Sequence, residues 1–162
     1  MQHSLDIEQL YRNHGQVVLR RARKILRNEQ EANEVLQEVF LSLLARPEQY
    51  SGRSSINTWL YSVTTNMCLN KLRKHKTRSR LMEDVVAPSQ VTEEAPRAED
   101  KTHLTRLLAR LPEKLSRVAV YYYMDEMTHE EIAKVMNCSR RQVGNLLKRF
   151  QDRAKNQLRN AA

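Results

Sequence analysis

The residues best suited to binding chemistry are the basic side chains between Arg140 and Arg159. This stretch contains seven Lys or Arg residues against one acid, Asp152. Arg and Lys neutralise phosphates, and Arg, Gln and Asn can also hydrogen-bond to base edges in the major groove of DNA. The sequence therefore predicts contacts with duplex DNA, and the candidate contact residues are Ser139, Arg140, Arg141, Gln142, Asn145, Lys148 and Arg149.

Two helices and a tight turn would position these side chains. Thr128 and Glu131 have the spacing of a capping box, so the first helix should begin there. Residues 137–139 interrupt the helical pattern, and Ser139 can cap the second helix. This is the layout of a helix-turn-helix, whose second helix enters the major groove. A solvated basic helix in an ordinary bundle stays the alternative. The second helix should bury Val143, Leu146, Leu147 and Phe150.

The composition predicts an all-α fold with a polyanionic partner. The 162 residues include only 3 glycines, and no long run of alternating β-branched residues occurs. The net charge of +9 and the pI of about 9.8 favour nucleic acid as the partner. The charge alone would fit a ribosomal or a membrane-surface protein equally well.

No motif in the sequence indicates catalysis, a cofactor or a metal. Cys68 and Cys138, the only cysteines, have no Cys or His at metal-ligand spacing and are expected to be free thiols. The sequence has no Gly-rich phosphate loop and no nucleophile beside a base at motif spacing, so a nucleic-acid-modifying enzyme is not predicted. Because no signal peptide and no apolar run of 18 residues occurs, we expect a cytoplasmic protein without membrane insertion.

The first part of the chain should begin with two helices. Residues 6–27 are expected to form one or two amphipathic helices, with Gly15 as a candidate break. The next helix should run from Glu31 to Ala45, with Leu44 in its apolar stripe. Its other face is acidic and would repel phosphate, so that face is either plainly solvated or docks a protein. The acidic face comprises Glu31, Glu34, Gln37 and Glu38. In the first helix the side chains expected to face out are Arg20, Arg21, Arg23, Lys24 and Arg27.

A polar loop and a helix with a basic end follow. Residues 50–55 are rich in turn-forming residues, and a helix should then run from Ile56 to about Arg73 with Trp59 inward. The end of this helix carries more cations than the helix dipole needs, which favours a role in binding phosphates. These cations are Lys71, Arg73, Lys74, Lys76, Arg78 and Arg80.

The chain is predicted to form two small helical domains, 1–80 and 102–162, joined by a flexible acidic linker at 81–101. Between residues 83 and 100 the sequence has six acids, one base and two prolines, which is typical of an extended linker. The second domain carries the helix-turn-helix. A helix opened by Pro112 should precede that motif, with its inward side chains Leu115, Val118, Ala119, Tyr122 and Met124.

Together these motifs resemble a bacterial sigma factor of the compact extracytoplasmic-function type, over nearly the whole chain. Gly144 and Leu146 depart from the family pattern, which usually has long polar or basic residues there. In the first domain the matching stretches are Leu10–Arg12, Val35–Phe40, Gly52–Tyr61, Asn66 and Leu72–Arg73. In the second domain they are Leu111–Lys114, Glu130–Ala133, Cys138–Ser139 and Val143. The first set is the more specific, because many regulators share a helix-turn-helix.

The resemblance implies a transcription initiation factor that binds core RNA polymerase and promoter DNA and has no catalysis of its own. The acidic face would dock on the clamp helices of the largest polymerase subunit, and the flap region would be a further contact. The acidic linker would thread the polymerase cleft. The helix-turn-helix would read the upstream (minus-thirty-five) element, and the polar loop would capture a base flipped from the downstream (minus-ten) element. The downstream contacts would be Tyr50, Ser54, Ser55, Asn57, Asn66, Lys71, Arg73 and Lys74.

A stand-alone helix-turn-helix regulator is the main alternative. Such a protein would need neither an acidic docking face nor a Ser-rich loop before a Trp-bearing helix. An anti-sigma factor and a kinase are candidate further partners of a sigma factor. The candidate phosphorylation sites on the promoter-facing helix are Thr58, Thr64 and Thr65.

Overall fold

The computed structural model describes residues 4–83 and 96–160, with side chains described for residues 4–75 and 103–160. All regular elements in these ranges are helical, which confirms the predicted all-α fold. The α-helices are α1 (Ile7–Leu26), α2 (Glu29–Ala45), α3 (Ile56–Glu83), α4 (Pro96–Arg110), α5 (Glu113–Ala119), α6 (His129–Met136) and α7 (Arg140–Asn160). The chain divides into two compact units, Met1–Cys68 and Leu69–Ala162. The domain boundaries at residues 80 and 102 stay a prediction.

The first unit is built on a pair of capped helices that bury one apolar face each. The Asp6 side chain accepts the N–H of Gln9 at 3.1 Å, and the Asn28 side chain accepts the N–H of Glu31 at 3.0 Å. Burial of one aliphatic side chain contributes roughly 1.5–3 kcal/mol, so this packing fixes the helix positions. The buried side chains of α1 and α2 include Val18, Ala22, Ile25, Val35, Val39 and Leu43.

The structure decides between one helix and two for residues 6–27, and it corrects the predicted orientation of one side chain. The helix is continuous, and Gly15 is buried inside it instead of interrupting it. A Cβ added at Gly15 would meet Tyr11 and Leu36 at 3.9 Å, an ordinary contact distance. Arg21, predicted to face out, is only 6% exposed. It lies three residues after the buried Val18, which places it on the inward side of the helix.

The structure corrects the limits and the apolar stripe of α2. The helix begins at Glu29, two residues earlier than predicted, because Asn28 caps it. Leu44, predicted to face inward, is 62% exposed, and Leu41 is equally exposed. The buried stripe includes Leu43, and each residue turns about 100° around the helix axis, so Leu44 lies outside the stripe.

The helix α3 continues to Glu83, beyond the predicted end near Arg73. Neither Gly nor Pro occurs between Ile56 and Glu83, so no local signal ends the helix earlier. The helix α4 begins at Pro96, and proline suits the first helical position. The ends of the predicted linker are therefore helical, and residues 84–95 of that linker lie outside the described residues.

Two of the three threonines on the helix predicted to face the promoter are inside the first unit. Thr64 and Thr65 are fully buried. Their hydroxyls donate to the carbonyls of Leu60 and Tyr61, at 2.6 and 2.8 Å. A kinase could not reach either hydroxyl in the folded protein, so the prediction of accessible phosphorylation sites is wrong for both.

The second unit departs from the prediction at the end of α5. Residues Val120–Met124 form a π-turn, in which the N–H of Asp125 donates to the carbonyl of Val120 at 3.2 Å. A π-turn holds one more residue than an α-turn and moves the following side chains around the helix. Tyr121 is consequently fully buried, whereas Tyr122, predicted to face inward, is 36% exposed.

Candidate nucleic-acid and partner interfaces

The helix-turn-helix is held by a capping box at the start of each of its helices. At α6, the Thr128 hydroxyl accepts the N–H of Glu131 at 3.2 Å, and the Glu131 carboxylate accepts the N–H of Thr128 at 2.8 Å. At α7, the Ser139 hydroxyl accepts the N–H of Gln142 at 3.1 Å, and the Gln142 side-chain oxygen accepts the N–H of Ser139 at 2.9 Å. The Ser139 cap was predicted from the sequence, but its reciprocal bond was not, although Ser-x-x-Gln is the spacing of such a box.

The candidate DNA-contact residues of α7 are all exposed. Val143 and Leu147 are buried and fasten the helix to the second unit, while Leu146 and Phe150 are half-buried. A recognition helix contacts bases mainly through its N-terminal residues, and those residues are polar here. The exposed candidates are Ser139, Arg140, Arg141, Gln142, Asn145, Lys148 and Arg149.

Two exposed tyrosines of the π-turn contact both helices of the motif. The ring of Tyr122 lies 5.6 Å from that of His129, at the start of α6. The ring of Tyr123 lies 5.6 Å from that of Phe150 in α7, and its hydroxyl accepts a hydrogen bond from Gln151 at 3.0 Å. These contacts fix α6 and α7 against the end of α5. The sequence shows only three consecutive tyrosines, and that pattern did not predict their contacts with α6 and α7.

The predicted docking face of α2 is exposed and is continued by apolar side chains. Glu34, Gln37 and Glu38 are exposed, and Glu31 is half-exposed. The exposed Leu41 and Leu44 follow Glu34 and Gln37 by seven residues each, which is about two helical turns, so they share that face. Exposed leucines beside carboxylates suit a protein partner better than DNA. The sequence did not predict this apolar part of the face, because Leu44 was expected in the core and no role was expected for Leu41.

An ion pair lies at the start of α2. The Nε of Arg23 donates to the Glu29 carboxylate at 2.8 Å. This hydrogen bond lowers the pKa of Glu29 and raises the pKa of Arg23. Both side chains are exposed to water, so the pair orients the helix terminus and adds little stability.

The polar loop before α3 has internal order. The Tyr50 hydroxyl donates to the carbonyl of Ser54 at 2.7 Å, and its ring lies edge-on to that of Trp59, with centroids 5.9 Å apart. The Ser55 hydroxyl accepts the N–H of Thr58 at 3.2 Å and so caps α3. Tyr50 and Trp59 are half-buried, whereas Ser54, Ser55 and Asn57 are exposed. The structure thus links Tyr50 to Ser54 and Trp59, and Ser55 to Thr58.

The remaining candidates lie along α3. Asn66 is half-buried, and its amide oxygen is buried without a hydrogen-bond partner in the part of the chain that the structure describes. Such an acceptor is costly unless a ligand or water satisfies it. Lys71 and Arg73 are half-exposed, and Lys74 is exposed. The side chains of the other three predicted cations, residues 76, 78 and 80, lie outside the described side chains.

Comparison with known protein families identifies both units. Residues 10–78 match the model of sigma-70 region 2, and residues 102–149 match that of sigma-70 region 4. The two matches together cover more than half of the chain. The chain belongs to the sigma-70 family. This sigma factor is 25% identical to the extracytoplasmic-function RNA polymerase sigma factor SigM of Bacillus subtilis over 154 residues, which cover 93% of this chain and 94% of that one.

Two solved structures share the fold of this sigma factor. The sigma factor RpoE of Bartonella quintana, solved with the anti-sigma factor NepR, is 15% identical, with a TM-score of 0.55 and coverage of 96% of this chain and 98% of that one. CnrH, solved with the cytosolic domain of CnrY, is 20% identical, with a TM-score of 0.57 and coverage of 96% and 89%. The predicted extracytoplasmic-function resemblance is confirmed, and the protein is a transcription initiation factor.

Two further features of the described ranges bear on this sigma factor. Among residues 4–83 and 96–160, no helix combines the length and apolar character needed to cross a bilayer. Within the same residues, no group of three or more acidic, His or Cys side chains is placed to hold a metal ion.

Proposed function

We propose that this sigma factor docks on core RNA polymerase through the exposed face of α2, reads the upstream promoter element with α7 and opens the downstream element with the polar loop and α3. The observation that carries the proposal is the chemical contrast between two exposed surfaces. The α2 face combines Glu34 and Glu38 with Leu41 and Leu44, whereas the start of α7 presents Arg, Gln and Asn side chains. The acidic face would repel phosphate, so the two surfaces suit two different partners.

The α2 face would bind the clamp helices of the largest polymerase subunit. Its exposed leucines would supply apolar contact, and its carboxylates would attract a basic partner and set its orientation. The pairing of acidic and apolar groups on one helix supports a protein partner, and the flap region would be a second polymerase contact.

The polar loop and Asn66 would hold the opened strand of the downstream element. Extrusion of a base costs a few kcal/mol of unstacking, which a pocket must offset by stacking and by hydrogen bonds to the base edge. Tyr50 would supply the ring, and Ser54, Ser55 and Asn57 would supply exposed polar groups. Asn66, half-buried on α3, would add an amide to this surface. Lys71, Arg73 and Lys74 would hold the strand phosphates.

The protein would act in the cytoplasm with RNA polymerase and would have no catalysis of its own. The related structures favour an anti-sigma factor as a further partner. RpoE was solved with the anti-sigma factor NepR, and CnrH with the cytosolic domain of CnrY. A protein of that class would control this sigma factor by covering the surfaces that polymerase needs. Thr58, half-exposed and close to the loop, stays a candidate site for a kinase.

Run-off transcription with core polymerase on genomic fragments tests the proposal. Addition of this sigma factor should produce new transcripts, and their mapped start sites should share an upstream and a downstream element. A native pull-down with core polymerase runs beside it. A protein that binds duplex DNA but recovers no polymerase and starts no transcripts would instead be a stand-alone regulator, and the proposal would be wrong.

A further inference from the structure

A narrow slot lies between α1 and α3 in the first unit. Val17 and Val18 of α1 and Leu60 and Tyr61 of α3 line it, mainly through apolar atoms. A water-sized sphere can place its centre in only ≈ 10 Å³ of the slot, so a small group such as a methyl group fits and a much larger one does not. A whole nucleobase does not fit into the slot, so the slot itself does not hold a flipped base.

The walls of the slot are held in place by Arg21, which is itself part of the lining. The Arg21 guanidinium carbon lies 3.4 Å from the centroid of the Tyr61 ring. The Nε of Arg21 donates to the Thr65 hydroxyl at 2.8 Å. Since Arg21 is 6% exposed and makes both contacts, the Tyr61 ring is a fixed wall. The slot is therefore formed in advance, which reduces the ordering cost of binding.

Four polar side chains also line the slot, of which Arg21 and Thr64 are buried and two reach the surface. Asn57 is exposed and belongs to the surface proposed to contact the downstream element, and His14 is half-exposed. A ligand group that enters the slot would thus place neighbouring polar atoms within reach of an amide and an imidazole. Among the DNA bases, thymine alone has this combination, because its C5-methyl group stands beside the O4 acceptor.

We infer that this slot binds the C5-methyl group of one thymine in the opened strand of the downstream promoter element. The inference rests on the proposed function, because it requires this face of α3 to contact the promoter strand. Cytosine would leave the slot empty, and neither purine has a methyl group to place there. The transfer free energy of one buried methyl group corresponds to about fourfold in affinity, so the slot would favour thymine at one position.

The first arm of the test removes only the methyl group. The full chain is bound to core polymerase, and each thymine in the non-template strand of a mapped downstream element is replaced in turn by deoxyuridine. The affinity for the opened promoter is then measured. At one position the substitution should lower the affinity about fourfold, and at the other positions the affinity should change by much less.

The second arm fills the slot. Val17 is 50% exposed, so Val17→Ile is expected to fold, and the added carbon should abolish the difference between thymine and deoxyuridine at the responsive position. Val135→Ile makes the same change at a half-exposed position of α6 and should keep the difference.

Three results would overturn the slot assignment. The first is a downstream element that contains no thymine, and the second is one in which no deoxyuridine substitution lowers the affinity. The third is a Val17→Ile variant that still binds thymine more tightly than deoxyuridine at the responsive position, to the same extent as the wild type. Failure of the proposed function itself looks different, because the wild-type protein would then open no promoter with core polymerase.

Discussion

At the scale of single residues, Gln142 has one observed role and one proposed role at the start of α7. Its side-chain oxygen accepts the N–H of Ser139 at 2.9 Å and completes a capping box. Its amide nitrogen can still donate to a base edge, as Gln does to adenine. A single alanine substitution would therefore change helix stability and base reading together, and the two effects need separate variants.

The Gln142→Glu variant should separate them. Glu is equally suited to the third position of a capping box but offers no donor to a base. We expect both Gln142→Glu and Gln142→Ala to lose preference for the upstream element, by about 1–3 kcal/mol. Only Gln142→Ala should lower the free energy of unfolding, by about 1 kcal/mol.

Competition between specific and non-specific duplexes gives the preference, and urea unfolding gives the stability. Arg141→Ala serves as the control, because Arg141 is exposed and takes no part in the box. The Arg141→Ala variant should lose preference for the upstream element and keep the wild-type free energy of unfolding. If Gln142→Glu discriminates between sequences as well as the wild type does, Gln142 is not a base-reading residue.

Arg21 gives a second prediction at the residue scale. Thr65→Val removes the acceptor of the Arg21 Nε hydrogen bond while it keeps the side-chain shape. The buried donor would lose this bond, so unfolding should become easier by about 1–3 kcal/mol. Thr65→Ser keeps the hydroxyl, so it should lower the free energy of unfolding less than Thr65→Val does. Chemical denaturation of both variants beside the wild type provides the comparison, and a Thr65→Val variant as stable as the wild type would show that the hydrogen bonds of this hydroxyl contribute nothing.

At the scale of elements, the sequence predicted correctly those helices whose ends and buried faces depend on neighbouring residues. The caps at Thr128 and Ser139 and the helical spacing of Val143 and Leu147 were enough to predict the helix-turn-helix. Arg21 was predicted wrongly because an arginine on an amphipathic helix usually faces water. Its burial depends on Thr65, 44 residues away in the sequence. No local pattern reveals such a contact, nor the π-turn that exposes Tyr122.

Gly144 provides the prediction at the element scale. Nothing lies within 4 Å of a Cβ added there, and glycine costs a helix about 1 kcal/mol relative to alanine. Gly144→Ala should therefore raise the free energy of unfolding by up to that amount. If the glycine lets the α7 backbone approach DNA closely, the same variant should bind the upstream element more weakly.

Gly15→Ala is the matched control for Gly144→Ala. It also replaces a helical glycine, and its added Cβ would make ordinary contacts at 3.9 Å. It should stabilise the first unit and leave upstream-element binding unchanged. An unaltered affinity of Gly144→Ala for DNA would show that Gly144 has no role in the approach of the backbone.

At the scale of the whole molecule, the chemistry is divided between surfaces of opposite charge. The chain carries a net charge of +9, yet the exposed face of α2 holds Glu34 and Glu38 beside two exposed leucines. The start of α7 carries Arg140 and Arg141. A protein that bound only duplex DNA would gain nothing from an acidic and apolar helix face. The two proposed partners would account for both surfaces in one chain.

A crossed binding measurement tests this division most directly. One variant combines Glu34→Lys with Glu38→Lys on α2, and the other is Arg141→Ala on α7. Affinity for core polymerase and preference for the upstream duplex are measured for both, together with thermal unfolding as a check of folding. The α2 variant should lose polymerase affinity and keep its DNA preference, whereas the α7 variant should do the reverse. If the folded α2 variant binds core polymerase as tightly as the wild type does, the acidic face is not the docking surface and the account is wrong.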